Sequence, residues 1–180
     1  MELNPGLFSS YTADHYTPPE IVALAVNTLG AIDLDPCSNS KRDPVIPAGE
    51  HYTRADNGLS LPWSGRVYLN PPYGREIGNW VKKLLSEYEA GRVSAALALV
   101  PARVDTNWFS LLYAYPVLFV SGRLRFRSAL GEIQGSAPFP SAIVYLGPDI
   151  EAFVREFGSI GRIYVPLLTL EAYREAYYGA

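Results

Sequence analysis

A four-residue string, Asn70-Pro71-Pro72-Tyr73, stands directly after a short apolar run ending at Leu69 and before Gly74. With each proline at about 5% of average usage, such a string arises by chance in roughly one chain of this size per thousand. Its residue types suit one kind of chemistry. The side-chain oxygen of Asn70 and the main-chain carbonyl of Pro71 can converge as two hydrogen-bond acceptors, while the prolines stiffen the arrangement and bring no competing amide donor. Two acceptors aimed at one NH2 group orient its hydrogens and leave the nitrogen lone pair facing an electrophile. Tyr73 offers a face on which a planar ring bearing that NH2 can stack. The competing account is a proline-rich strand exit with a core tyrosine.

Charge supplies the second set of candidates. Net charge is −3, but residues 1–60 hold eight acids against three bases (Lys41, Arg42, Arg54), whereas residues 92–127 hold five arginines against one acid, Asp105. The first region suits a cationic small molecule, with Asp33, Asp35 and Asp56 as candidates; the second suits a polyanion. Arg123, Arg125 and Arg127 alternate, so on a strand they share a face and can track phosphates, with Arg103 nearby if the later strands are neighbours. A solvated edge protected by charge is the alternative. Asp33 reads equally as a surface acid at a strand end. Lys82 and Lys83 read as the polar face of a helix. One cysteine, Cys37, and two histidines, His15 and His51, are too few for a metal site, and Cys37 reads as a small buried residue.

These residues need a scaffold, and the apolar pattern predicts one. Thr17-Pro18-Pro19-Glu20 has the form of a capped helix start, followed by Ile21, Leu24, Ala25 and Leu29 on one face and a stop near Gly30. A strand over 31–35 follows, then a loop-rich stretch to Gly65, a strand over 66–69 and the Asn70 string. Ile77, Trp80, Val81, Leu84, Leu85 and Tyr88 mark one face of a strong helix that stops at Gly91. Residues 94–100 read as a strand covered on both faces. Asp105 can cap a helix running to Ala114, in which Trp108 and Phe109 fall at core positions. Strands over 117–120, 141–146 and 160–165 and helices over 149–157 and 169–178 complete the pattern; residues 124–127 extend or pair with the strand over 117–120, and 128–137 is a loop. Alternating strands and helices predict an α/β fold with an open, mostly parallel sheet flanked by helices, whose ligands bind at the carboxyl ends of strands, where Asp35 and Asn70 fall.

At 180 residues, with 48% hydrophobic and 18% charged, the chain suits a single domain over 1–180. No stretch approaches the ~20 apolar residues of a membrane span. The first residues lack the basic start and apolar run of a secretory signal, so the expectation is a soluble, cytoplasmic protein with no membrane partner.

Taken together, these motifs resemble S-adenosylmethionine-dependent amino-methyltransferases of DNA, and within them the small phage-type N6-adenine methyltransferases. The resemblance implies a Rossmann-like methyltransferase fold, S-adenosylmethionine as cofactor and DNA as partner, with no metal. It gives Asn70, Pro71, Pro72 and Tyr73 the catalytic role on a flipped base. Tyr16-Thr17-Pro18-Pro19-Glu20 is similar to the segment that helps hold the cofactor's methionine part, and Asp33-Leu34-Asp35-Pro36-Cys37-Ser38 to the first-strand cofactor motif. Arg54-Ala55-Asp56-Asn57-Gly58-Leu59 with Trp63 is similar to the turn that contacts the cofactor's adenine. Val100-Pro101-Ala102-Arg103, Asp105-Thr106-Asn107-Trp108-Phe109, Gly122-Arg123-Leu124-Arg125-Phe126 and Phe139-Pro140-Ser141 resemble later blocks of the phage group, which makes Trp108 and Phe109 candidates for the base pocket.

The sequence departs from larger relatives in three places. Ser38-Asn39-Ser40 stands where they carry a glycine-rich turn. The interval from Cys37 to Asp56 is short for a helix and strand bearing a separate ribose-binding acid. No large target-recognition domain is present, which leaves the 128–137 loop as the candidate for sequence readout. The expected reaction is direct displacement at the N6 of adenine, with N4 of cytosine, an RNA base or a protein glutamine amide as rival acceptors. A non-catalytic DNA- or cofactor-binding relative is the rival of another class.

Overall fold

The computed structural model of the chain describes residues 15–127 and 135–167. The elements run α1 (Pro19–Leu29), β1 (Ile32–Asp35), β2 (Ala48–His51), β3 (Gly65–Leu69), α2 (Ile77–Glu89), β4 (Val93–Pro101), α3 (Asn107–Ser110), β5 (Val117–Val120), β6 (Ser141–Leu146), α4 (Ile150–Phe157) and β7 (Gly161–Tyr164). A 3-10 turn over Leu111–Ala114 follows α3 directly. The expected helix over 169–178 and most of the 128–137 loop lie outside the described residues.

One sheet holds all seven strands in the order β2-β1-β3-β4-β6-β5-β7. The ladders β2/β1, β1/β3 and β3/β4 are parallel and those of β6 with β4 and β5, and of β7 with β5, are antiparallel. Five strands therefore point one way and β6 and β7 the other. The α/β class with a mostly parallel centre is as the sequence predicts.

Both faces are covered, which is why the central strands are apolar on both sides. Ala96, Ala98 and Val100 of β4 meet Trp80, Val81 and Leu84 of α2, together with Phe109 of α3. Ala95, Leu97 and Leu99 point the opposite way, into a second core with Ile21 and Ala25 of α1 and Phe153 and Phe157 of α4. β3 alternates likewise, with Val67 and Leu69 toward α2 and Tyr68 toward α1. Among the described residues no helix is long and apolar enough to cross a membrane.

Four local expectations are corrected. β2 lies inside the stretch read as loop: Ala-Gly-Glu-His has no apolar alternation, and as an edge strand it needs only the backbone ladder Ile32↔Ala48, Leu34↔Glu50 and Asp35↔His51. Thr17 does not cap α1, whose N-cap is Pro18, because its hydroxyl faces β3 instead. Thr106, not Asp105, caps α3, accepting from Phe109 N at 3.3 Å. Residues 124–127 form no strand with β5; only an isolated bridge joins Arg127 to Tyr16. The alternation survives without the strand, with Leu124 and Phe126 buried and Arg123 and Arg125 exposed.

Candidate active site

The strands β1, β2, β3 and β4 end at one edge of the sheet, and a cavity of about 560 Å³ opens there. Such a volume suits a ligand of cofactor size. Its walls include Tyr16 and Thr17, Asp35, Pro36 and Cys37 after β1, Asn57 and Gly58, and Asn70, Pro71 and Pro72 after β3. These stretches are far apart in sequence, and the topology brings their ends together because β1 and β3 are neighbours.

Asn70 is held by two contacts. Its Nδ2 donates to the carbonyl oxygen of His15 at 2.6 Å and to Thr17 Oγ1 at 3.1 Å. A carbonyl can only accept, so the amide nitrogen faces the 15–17 segment and Oδ1 faces away from it. Tyr68 OH donates to the same Thr17 Oγ1 at 3.2 Å, so the threonine links the buried end of β3 to the motif that follows it. Asn70 Oδ1 is buried and has no hydrogen-bond partner among the described residues. Leaving a buried acceptor unmet costs about 1–3 kcal/mol, which marks this oxygen as a place where a donor belongs. Pro72 O accepts from Gly74 N at 2.9 Å, which commits one of the two proline carbonyls to the turn.

The other acceptor-rich wall is Asp35. It is 3% exposed and accepts from Cys37 N at 3.1 Å, while its own carbonyl accepts from Tyr52 N at 2.9 Å and ties it to the end of β2. Burial pushes its carboxyl up to about 6, against the lowering effect of the Cys37 amide, the Ser38 hydroxyl and His51. Burial also pushes the Cys37 thiol up, so it is an inert wall rather than a nucleophile. His51 Nε2 donates to Ile46 O at 2.8 Å, and among the described residues no group of three or more potential metal ligands occurs.

The turn after β2 forms the remaining wall. Asn57 adopts a positive φ of 54°, and Gly58 passes so close to Pro36 that a Cβ there would collide with its carbonyl oxygen. Glycine therefore permits the turn after β2 to approach the loop after β1 closely. Trp63 Nε1 donates to Gly58 O at 2.8 Å and stacks on Trp80 at a centroid distance of 6.0 Å, which backs the turn with packed indoles.

Several predicted site residues fall elsewhere. Asp33 does not line the cavity: both its oxygens engage the Arg66 guanidinium at 2.9 Å, and Oδ2 also accepts Arg66 N at 2.7 Å, a bridge between β1 and β3 that lowers its pKa. Asp56 points out of the cavity, taking Lys41 at 2.7 Å and the Thr53 amide and hydroxyl at 2.8 and 2.7 Å; these bonds, Lys41 first, hold its carboxyl well below the usual range. Pro18 belongs to the start of α1 and does not line the cavity either. Phe109 is fully buried in the α2-side core, and Trp108 packs beside Gly78 of α2, because α3 lies against α2 rather than over the cavity. Neither residue of this pair lines the cavity.

Tyr73 is not an open stacking platform. Its OH donates to Leu99 O at 3.3 Å and its ring lies among His15, Phe126 and Phe139, at centroid distances of 5.0, 6.0 and 5.4 Å. Sequence reasoning also passed over Val45, Ile46 and Glu76 as cavity walls. Arg103 follows β4 and Arg123 and Arg125 follow β5, all exposed at this same edge. Arg127 is half-buried and pairs its backbone with Tyr16, donating to Tyr16 O at 3.0 Å and accepting from Tyr16 N at 3.4 Å.

The family model described as DNA N-6-adenine-methyltransferase (Dam) matches residues 10–163, which takes in every wall of the cavity and every strand but the last residue of β7. The chain belongs to the Dam family. The protein is thus a DNA adenine methyltransferase, and the cavity wall that carries Asn70 lies within the matched residues. No curated protein matches the chain.

Proposed function

We propose that this Dam-family chain transfers a methyl group from S-adenosylmethionine to the exocyclic N6 of a flipped adenine in DNA by direct displacement. One observation carries the reading: Asn70 Oδ1, a buried acceptor lacking a partner among the described residues, stands at a strand end on the wall of the cavity. An NH2 group supplies the missing donor.

The walls fit the cofactor. Asp35 offers a carboxylate to a cationic group, the Asn57–Gly58 turn and Pro36 offer backbone at close range, and Leu59, Ile46 and Trp80 offer apolar surface to a planar ring. When bound, S-adenosylmethionine supplies a methyl carbon on a positively charged sulfur; attack by the amino nitrogen breaks the carbon–sulfur bond, leaves a neutral thioether and yields a proton to water. The chain's part is to position and to accept. Asn70 Oδ1 and the Pro71 carbonyl take the two amino hydrogens, aim the nitrogen lone pair at the methyl carbon and hold the positive charge that develops on nitrogen. Thr17 and the His15 carbonyl keep the Asn70 amide from turning over. Asp35 balances the cofactor's charge. Asp33 and Asp56 act at one remove, Asp33 by joining β1 to β3 and Asp56 by closing the turn that carries Asn57. Arg103, Arg123 and Arg125 meet DNA phosphates along the cavity edge.

Labelled S-adenosylmethionine and unmethylated duplex DNA, followed by nucleoside analysis, test the reading. Label in N6-methyladenine is the expected product. Label in N4-methylcytosine would overturn the acceptor, and cofactor binding without transfer to any base would overturn the reaction.

A further inference from the structure

We infer that Glu76 holds the ribose of the cofactor, its carboxylate accepting both hydroxyls of the vicinal diol. The inference deepens the reading above and rests on it. Asp35 and Glu76 are the carboxylates among the cavity walls. Asp35, at the end of β1, is almost wholly buried and accepts from the Cys37 amide, whereas Glu76, at the start of α2, is exposed. Glu50, the acid of β2, is not a wall residue, and Asp56 is bound to Lys41 and Thr53. The site therefore offers carboxylates at two depths, and the cofactor has two kinds of group that call for one: cationic centres and a neutral diol.

Most of the remaining polar walls are committed or offer one acceptor at most. Ser38 Oγ donates to Ser40 O at 3.0 Å, Asn39 donates to Asp43 O and accepts from Val45 N, and the Thr53 hydroxyl donates to Asp56. Asn57 has a single acceptor oxygen in its side chain. Two adjacent hydroxyls are best met by the two oxygens of one carboxylate, which accepts and does not donate. Among the described residues the Glu76 carboxylate takes no hydrogen bond or ion pair. An acid at a helix start can serve the helix alone. Glu76 is the N-cap residue of α2, yet its side chain takes no capping bond from the helix amides.

Glu76 also has the right place along the wall. Covalent structure orders the cofactor as sulfur, ribose and adenine, so with the methyl carbon at Asn70 and the ring at the apolar wall that includes Trp80, the sugar falls between. Glu76 comes four residues after Pro72 and four before Trp80. Backbone bonds fix that spacing: Gly74 N donates to Pro72 O at 2.9 Å, Ile77 N to Gly74 O at 3.3 Å and Trp80 N to Glu76 O at 3.3 Å. One helical turn, about 5.4 Å, separates Glu76 from Trp80. Trp80 in turn meets the Asn57–Gly58 turn, since a Cβ on Gly58 would lie 3.3 Å from its indole. The interval from Cys37 to Asp56 is short for a separate ribose-binding acid, and the start of α2 supplies one instead.

Calorimetric binding of S-adenosylhomocysteine, and of its analogue lacking both ribose hydroxyls, to the full chain and to Glu76→Ala tests the assignment. Hydrogen bonds to a charged acceptor are worth roughly ten-fold or more in Kd, so the unsubstituted chain should bind the analogue that much more weakly than S-adenosylhomocysteine. Glu76→Ala should bind S-adenosylhomocysteine as weakly as the unsubstituted chain binds the analogue, and should lose little further when the hydroxyls are removed. Glu76→Gln, which keeps one acceptor, should fall between. KM for S-adenosylmethionine should rise with kcat at saturation little changed, and the melting temperature of ligand-free Glu76→Ala should stay where it was, because the side chain has no capping bond to lose. Equal losses in the two chains on removing the hydroxyls overturn the inference. So does a loss in Glu76→Ala that is coupled instead to the adenine amino group, read with the S-inosyl analogue. Binding of S-adenosylhomocysteine that depends on Glu76 and the hydroxyls, with no methyl group passed from S-adenosylmethionine to DNA, would refute the displacement reading and leave the assignment standing; no binding by the unsubstituted chain would overturn both.

Discussion

Asn70 Nδ2 lies 2.6 Å from the carbonyl oxygen of His15, and this contact decides which way round the Asn70 amide is held. Two acceptors, His15 O and Thr17 Oγ1, leave the amide nitrogen no reason to exchange places with Oδ1. The motif is set before any ligand arrives, which is the condition for electrostatic stabilisation without reorganisation during the reaction.

Replacing Asn70 by Ala removes that acceptor and little else. By analogy with the removal of a single oxyanion-hole donor, kcat should fall by about 10²–10³-fold or more, with cofactor affinity within a few-fold of the parent. Single-turnover methyl transfer and an equilibrium titration of cofactor measure the two effects separately. A variant that methylates DNA at close to the parent rate would remove Asn70 from the mechanism.

Thr17 should matter more than its distance from the reacting atoms suggests. Thr17→Val keeps the shape but deprives fully buried Tyr68 OH and Asn70 Nδ2 of their shared acceptor, which at about 1–3 kcal/mol for an unmet buried group lowers the melting temperature measurably. Turnover should also drop, though less than in Asn70→Ala, because His15 O still holds the amide. Thr17→Ser should restore both. Loss of stability without loss of kcat would make Thr17 a structural residue only.

The strands β3, β4 and β6 were legible in the sequence because each buries a near-continuous apolar run, and the Asn70 string because two prolines at a strand exit are rare. What escaped notice depends on contacts that leave no local pattern. β2 is held by backbone pairing with β1, so Ala48–His51 shows no apolar alternation. Thr17 matched the form of a helix cap, yet tertiary partners on β3 outcompeted that local use. Asp33 and Asp56 had the right charge for a cofactor but are neutralised by Arg66 and Lys41, basic residues that arrive from elsewhere in the chain. Trp108 and Phe109 shared a motif with the site and lie on the α2 side of the sheet, a distinction of layer that spacing does not carry.

Asp35 predicts a pH dependence with a definite sign. Burial raises its folded pKa to about 6 from the ordinary 3.8, so between those values the folded chain holds a proton that the unfolded chain releases. Its contribution to stability is fully present below the unfolded value and is lost as pH rises through about 6, a change of about 3 kcal/mol for this group, and Asp35→Asn should flatten that part of the stability profile. Cofactor binding should run the opposite way. A cationic ligand favours the carboxylate, so affinity for S-adenosylmethionine should increase from pH 5 to a plateau above about 6 to 7 and release protons on binding at the lower end. Calorimetry in buffers of different ionisation enthalpy reads both; a flat affinity profile would detach Asp35 from the cofactor.

The turn closed by Asp56 gives a prediction that separates contact from support. Thr53 donates both its amide and its hydroxyl to Asp56 Oδ2, at 2.8 and 2.7 Å. If the acid serves the cofactor by shaping the turn that carries Asn57, then Asp56→Ala and Thr53→Val should weaken cofactor binding in the same direction, and the pair together should cost less than the sum of the two. Additive losses, or a Thr53→Val chain with parent affinity, would mean that Asp56 reaches the ligand itself.

Arg123 and Arg125 test the DNA edge. Both are exposed beside buried Leu124 and Phe126, so changing them to Gln should leave the melting temperature where it was while removing two cations from the stretch that follows β5. Each phosphate contact contributes about 0.9 to the slope of log affinity against log salt, so the double variant should bind DNA more weakly at low salt and show a slope smaller by about 2. A loss of that kind is shared by all sequences, since phosphate contacts position the protein without reading bases. An unchanged slope would return the pair to the role of a solvated, charge-protected edge and would move the search for phosphate contacts to Arg103, which follows β4.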